Sequence, residues 1–229
     1  MAALRDTHNA YPLAIRSFFE HARFENGKRL HIRTARLHTD TRDDEARRTP
    51  DKKDDKRTHF NHVSGRFSGR DGALHVFEFT LRQYPGIPIE TMDMMDAQDP
   101  SENPHVWFKT AVADVYRHEG GHSVSSLLGR LGEQPGFIEA WKADVAALGG
   151  EDAARKKRWG YFIQDGAQGR EEVIADLWAE RAGSPKQLRP VSAAFPHCEV
   201  WFSKFYDRFV DHLETDPALL QREEFIRAL

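Results

Sequence analysis

Of 229 residues only one is cysteine, Cys198. A lone cysteine closes no internal disulfide, which excludes small disulfide-stapled scaffolds and suits a reducing compartment. Long hydrophobic runs are missing too: nowhere do about 18 apolar residues follow one another, the length a membrane-spanning helix needs. The start of the chain, Met1 to Asp6, runs into Thr7, His8 and Asn9 without building the apolar stretch of a signal peptide. The protein is therefore expected in the cytoplasm, or, if it is secreted, to leave by a route other than a cleaved signal peptide, with no membrane as partner. Charge of one sign is equally scarce, since 33 Lys and Arg against 36 Asp and Glu leave a net charge of only -3. No global basic field draws the chain to phosphate, so nucleic acid is not an expected partner.

Bulky core material is present, with 15 Phe and 5 Trp in a chain that is 39% hydrophobic. A chain of this length can bury one sizeable core, and residues 1–229 are read as a single domain. The spacing predicts a helix over 11–24 with Pro12 in its first turn, then a strand over 30–37 after the Asn26-Gly27 turn. Residues 40–57 are nearly all charged or polar and read as a solvated loop. Gly65, Gly69 and Gly72 punctuate a polar stretch before a strand over 73–81, and a shorter run, 87–92, carries Pro88 and fits an edge strand. Beyond the loop around Pro100 and Pro104 helical spacing dominates, with helices expected over 106–131, 136–148, 170–183, 196–214 and 217–228. Strands followed by helices argue for an α+β fold: a small N-terminal sheet packed on one central helix, and a mainly helical C-terminal half.

The chemistry sits on that central helix, in His118-Glu119-Gly120-Gly121-His122. Two histidines four residues apart lie one turn above each other on one helix face, where both imidazoles can share a metal ion. Glu119 is turned roughly 100° from His118, which aims its carboxylate at a water beside the metal, as a general base requires. Trp107, Phe108, Val112, Val115, Val124, Leu127 and Leu128 supply an apolar stripe for the same helix. Gly120 and Gly121 each cost about 1 kcal/mol of helix propensity relative to Ala, so a close backbone neighbour or a bound metal must offset them. With 12 His in the chain, such a pentad arises by chance only ~0.05 times.

Catalytic zinc takes three protein ligands and leaves a position open, so a third ligand is required. A third histidine six residues after His122 is excluded, because that position is Leu128, and Ser125 stands where that longer pattern has glycine. Downstream, Glu171, Glu172 and Asp176 lie on a predicted helix whose Val173, Ile174, Leu177, Trp178 and Ala182 face the core. Together the two segments resemble the gluzincins, the zincin metallopeptidases that include thermolysin and the anthrax-lethal-factor-like domains. The resemblance covers residues 106–183. The long separation of the two motifs and the acidic, aromatic and alanine-rich second helix are closest to the lethal-factor-like members, although Asp176 replaces their usual Glu.

The resemblance implies a zincin-like catalytic domain with one Zn2+ per chain, held by His118, His122 and Glu172. It also implies that Asp176 orients a ligand histidine, and the four-residue spacing to Asp176 favours Glu172 over its neighbour Glu171 as the ligand. Tyr161 is the candidate donor to an oxyanion. The expected activity is zinc-dependent endopeptidase action on a protein or peptide, with Glu119 as base and the substrate extended beside strand 73–81 or 87–92. Lethal-factor-like enzymes act as toxins or effectors, which adds an immunity protein or chaperone as a partner. The alternative is a non-catalytic zinc-binding or interaction domain, in which Glu119 has no task. His105 and His197 lack partners at metal spacing, Cys198 reads as a small buried hydrophobe, and the acidic segment from Asp93 to Glu102 lacks the ligand alternation of a calcium loop.

Overall fold

A computed structural model describes residues 2–24, 27–35, 65–69, 72–77, 79–83, 105–109, 112–154, 159–164, 166–184 and 190–215. The expected loop 40–57, strand 87–92 and helix 217–228, and the acidic segment 93–102, lie outside the described residues.

The chain opens with two short helices, α1 (Ala2–Ala10) and α2 (Leu13–His21). Pro12 is the residue before α2 rather than part of its first turn, and α1 has no counterpart in the sequence-based expectation. Ile15, Phe18 and Phe19 recur at three to four residues and bury one face of α2. Three strands follow, β1 (His31–Ala35), β2 (Gly65–Ser68) and β3 (Ala73–Phe77), in the order β1-β3-β2. β1 runs parallel to β3 and β2 antiparallel to it, with Ile32 and Phe67 both opposite Leu74. β3 is thus the centre of the mixed sheet, and its residues from Ala73 to Val76 are all buried.

Two expectations need correction. The single strand expected over 73–81 is two, because after β3 the chain enters β4 (Phe79–Gln83), which pairs with β5 (His105–Lys109) in a separate antiparallel sheet. Residues 73–77 are therefore no edge along which a peptide can lie: β1 and β2 already occupy both sides. The helix expected from 106 begins only at Val112, since Val106, Trp107 and Phe108 belong to β5. These β-branched and aromatic residues suit a strand once 79–83 offers a partner, a long-range pairing that helical spacing cannot reveal.

From Val112 the described residues are mainly helical: α3 (Val112–Leu127), a 3-10 turn (Leu131–Glu133), α4 (Pro135–Ala147) and the short α5 (Glu151–Ala154). A second 3-10 turn (Gly160–Ile163) leads to α6 (Gln168–Arg181), α7 (Val191–Ala194) and α8 (Pro196–Thr215). The fold is α+β with a helical C-terminal half. Val173, Ile174, Leu177 and Trp178 bury one side of α6, as their spacing predicts. Trp178 meets the rings of Tyr11, Phe19, Tyr206 and Phe209, and its indole N–H donates to the Tyr11 hydroxyl at 3.2 Å. Helices α1, α2, α3, α6 and α8 thereby share one core with the three-stranded sheet. Among the described residues no helix is long and apolar enough to cross a membrane.

α3 and α6 approach each other closely at Gly121. A Cβ placed there would lie 2.7 Å from the Ala175 Cα and 2.9 Å from the Trp178 Cβ, so the contact is backbone against backbone. At Gly120 an added Cβ would meet only Tyr11, Phe19 and Trp178 side-chain atoms at 3.5–3.6 Å, ordinary van der Waals contact. The two glycines of the pentad therefore differ, and only Gly121 is demanded by helix packing. Gly121→Ala is expected to force the helices apart and lower stability by about 1–3 kcal/mol. Gly120→Ala is expected to be neutral or to raise stability by up to about 1 kcal/mol through helix propensity. Thermal denaturation of the two variants beside the parent checks this order.

Candidate metal site

The Gly121–Ala175 contact decides what stands opposite what. His118 and His122 lie three residues before and one after Gly121, and Glu172 and Asp176 lie three before and one after Ala175. Each pair is one helical turn apart, so the close approach sets the two histidines against the two acids. His118 Nε2, His122 Nε2 and Glu172 Oε2 form a triangle whose three sides are each 3.2 Å. Ligand atoms at about 2.05 Å from a tetrahedral metal are separated by roughly 3.3 Å, so the triangle fits a single metal ion. His118, His122 and Glu172 are a donor set able to hold one.

The remaining atoms of these groups are held in place. Asp176 Oδ1 lies 2.6 Å from His118 Nδ1. A carboxylate only accepts, so the proton is on Nδ1 and leaves the Nε2 lone pair turned toward His122 and Glu172 when the ring is neutral. Tyr161, on the 3-10 turn before α6 and 52% exposed, donates its O–H to Glu172 Oε2 at 2.6 Å. Glu119 is 7% exposed and lies beside the triangle rather than in it, where the Phe67 backbone of β2 hydrogen-bonds its carboxylate.

Electrostatics favour a cation here. Burial by itself disfavours a charged His118, but hydrogen bonds with Asp176 and Glu172 outweigh it and the imidazole pKa is pushed up to about 10. Burial likewise disfavours a charged Glu172, and the hydrogen bonds with both histidines overcome it and hold the carboxyl well below the usual carboxylate range. For Glu119 burial dominates, and its carboxyl is raised despite both neighbouring histidines. Burial and then the Glu172 charge raise the Tyr161 hydroxyl, which keeps its proton and remains a donor. Three acidic side chains around two imidazoles stabilise positive charge, which a proton or a metal cation can supply.

Glu171, the neighbour of Glu172, is committed elsewhere. Its Oε2 accepts from Ser125 Oγ at 2.5 Å and its Oε1 from the Gly132 amide at 3.1 Å. Ser125 Oγ in turn accepts from the Leu131 amide at 2.8 Å, and Arg170 Nε donates to the Gly132 carbonyl at 2.6 Å. This network ties the turn after α3 to the start of α6, which fixes the rotation of α6 and hence the direction of Glu172. His197 lies apart from the triangle on the start of α8, with Nδ1 2.6 Å from Asp144 Oδ1. Asp144 is fully buried and also accepts from the His197 and Cys198 amides, and Cys198 is buried as its apolar neighbours imply. His105 begins β5.

The sequence reading missed β2, which carries the Phe67 amide to Glu119. Its four residues are short, and the alternation that marks a strand is weak in Gly65-Arg66-Phe67-Ser68. In sequence Ser125 marks only a departure from a longer zinc motif, and nothing local pairs it with Glu171, 46 residues on.

Replacing Glu172 by Ala is expected to abolish tight metal binding, because it removes one of three donors. Glu171→Ala should retain the metal and instead lose about 1–3 kcal/mol of stability, leaving the Gly132 amide and Ser125 hydroxyl without their buried acceptor. Asp176→Asn falls between, with metal affinity lowered about 10-fold. Competition with a chromogenic chelator and denaturant titration separate the three.

No protein-family model, curated protein or solved structure matches the chain, so the chemistry of the site rests on its own atoms.

Proposed function

We propose that the protein is a zinc-dependent endopeptidase with a zincin-like fold of the gluzincin type, its metal held by His118, His122 and Glu172. The observation that carries the reading is the position of Glu119: a buried carboxylate adjoining the two-nitrogen, one-oxygen triangle without being one of its corners. A structural metal site has no use for such a group. Two imidazoles and one carboxylate, with one side facing the half-exposed Tyr161, match the donor set of a catalytic zinc with an open position.

Zinc bound there supplies Lewis acidity, which polarises a peptide carbonyl and lowers the pKa of water. The chain supplies the rest. Glu119 takes the proton of the attacking water on a carboxylate oxygen and delivers it to the nitrogen of the departing amine. Burial raises its proton affinity above that of a solvated carboxylate, which favours taking up the proton of the water. Asp176 keeps His118 in the tautomer with Nε2 free, and Tyr161 keeps Glu172 Oε2 directed between the histidines. Tyr161 also stands at the exposed side, where its hydroxyl serves as oxyanion donor by exchanging Glu172 for the carbonyl oxygen. Among the described strands β2 ends the three-stranded sheet and lies against α3, which makes it the strand beside which an extended substrate fits.

The likeness to lethal-factor-like domains extends the proposal to an effector acting on proteins of a target cell, with an immunity protein or chaperone in the producing cell. A pull-down from that cell that recovers no dedicated partner counts against this extension.

Glu119→Gln tests the central reading. It preserves shape and all three metal donors, so zinc content should stay at one per chain while peptide hydrolysis falls by about 100-fold or more. Zinc analysis and digestion of a peptide library give the two values; undiminished hydrolysis by the variant refutes the mechanism.

A further inference from the structure

Glu119 leaves α3 on the side that faces β2, and the fit there is tight. A Cβ at Gly65 would fall 2.3 Å from Val115 Cγ1 and 2.9 Å from both Cγ and Oε1 of Glu119. No L side chain fits at 65 while Glu119 keeps its place. Two residues along the same strand, the Phe67 backbone hydrogen-bonds the Glu119 carboxylate. β2 itself is fixed by its antiparallel pairing with β3, Gly65 opposite Val76 and Phe67 opposite Leu74, and the Phe67 ring packs on Phe24 with centroids 5.6 Å apart. A carboxylate at the end of a two-carbon arm has rotamer freedom that the helix alone does not remove. Here the strand removes it.

We infer that Gly65 and the Phe67 amide form a positioning element for Glu119: the missing side chain at 65 opens the path for the carboxylate, and the amide at 67 fixes its direction. The inference rests on Glu119 being the base proposed above and adds a second structural element to the proton transfer. The helix sets how far the base lies from the donor triangle, and the sheet sets which way its oxygens point. The Phe67 amide is consequently taken, so a peptide laid along β2 finds its hydrogen bonds at neighbouring positions. Gly65 and Phe67 are positioning residues, because they act through Glu119.

Two measurements on the full-length, zinc-loaded protein test this. In 1H–15N spectra, the Phe67 amide proton should move upfield in Glu119→Gln, where a charge-assisted bond becomes neutral, and further in Glu119→Ala, where the acceptor is gone. A Phe67 amide that does not move in either variant overturns the inference, whether or not the chain hydrolyses peptides. In kinetics on a peptide cut by the parent protein, Gly65→Ala should lower kcat about 100-fold while KM and zinc affinity stay unchanged. Adding Val115→Ala relieves the 2.3 Å contact but not those with Glu119, so kcat should remain low. Full recovery of kcat in the double variant, or a parallel loss of zinc affinity in Gly65→Ala, overturns the inference in favour of a purely structural role for Gly65. If Gly65→Ala does not fold, the spectra of the Glu119 variants decide, since they leave β2 intact. If the parent protein cuts no peptide, the peptidase reading fails, and the Phe67 amide alone decides whether the strand holds the carboxylate.

Discussion

The backbone-to-backbone contact between α3 and α6, Gly121 against Ala175, is the constraint on which the site depends. Helices whose facing positions carry ordinary side chains pack with axes some 8–10 Å apart. Glycine at one face and alanine at the other allow the smaller end of that range. The side chains one turn either way, His118 and His122 on α3, Glu172 and Asp176 on α6, then meet at hydrogen-bonding distance. The helix propensity lost at Gly121 is thus offset by a packing distance that no larger residue permits. Gly120 has no such duty: it lies under Tyr11, Phe19 and Trp178, where a methyl group has room.

Around that contact, polar groups fix the one freedom helix packing leaves open, rotation of α6 about its own axis. Glu171 does this through Ser125 and Gly132, and Arg170 adds a bond to the same turn. Two neighbouring glutamates therefore do different work. Glu171 is consumed by the turn after α3, and Glu172, about 100° further round the helix, turns to the histidines. Trp178 supports the arrangement from below, buried among Tyr11, Phe19, Tyr206 and Phe209 and hydrogen-bonded through its indole.

The site's electrostatics follow from its burial and its acid content. Glu172 stays ionised because both histidines bond to it, whereas Glu119, with no direct hydrogen bond from an imidazole, has its carboxyl raised by burial. Two carboxylates of the same residue type within one site are pushed in opposite directions by their surroundings, Glu172 toward its anion and Glu119 toward its protonated form.

Much of the site is legible in sequence because helical geometry is local. The four-residue spacings of His118 with His122 and of Glu172 with Asp176 place each pair on one face whatever surrounds them, and the turn of about 100° to Glu119 separates its carboxylate from the two imidazoles. The apolar spacing of 135–147, 168–181 and 196–215 marks helices for the same reason. What sequence leaves open is every relation between distant segments. Strand pairing depends on a partner far along the chain, so β2 is not legible from local spacing, 73–81 divides between strands of two sheets, and Val106 to Phe108 form β5 rather than the start of α3. The choice between Glu171 and Glu172 turns on Ser125 and Gly132, and the direction of Glu119 on Gly65 and Phe67. By itself the sequence determined which side chains share a helix face; only the tertiary structure decided which faces meet, because the approach at Gly121 and the hydrogen bonds that orient each carboxylate join segments that local spacing does not connect.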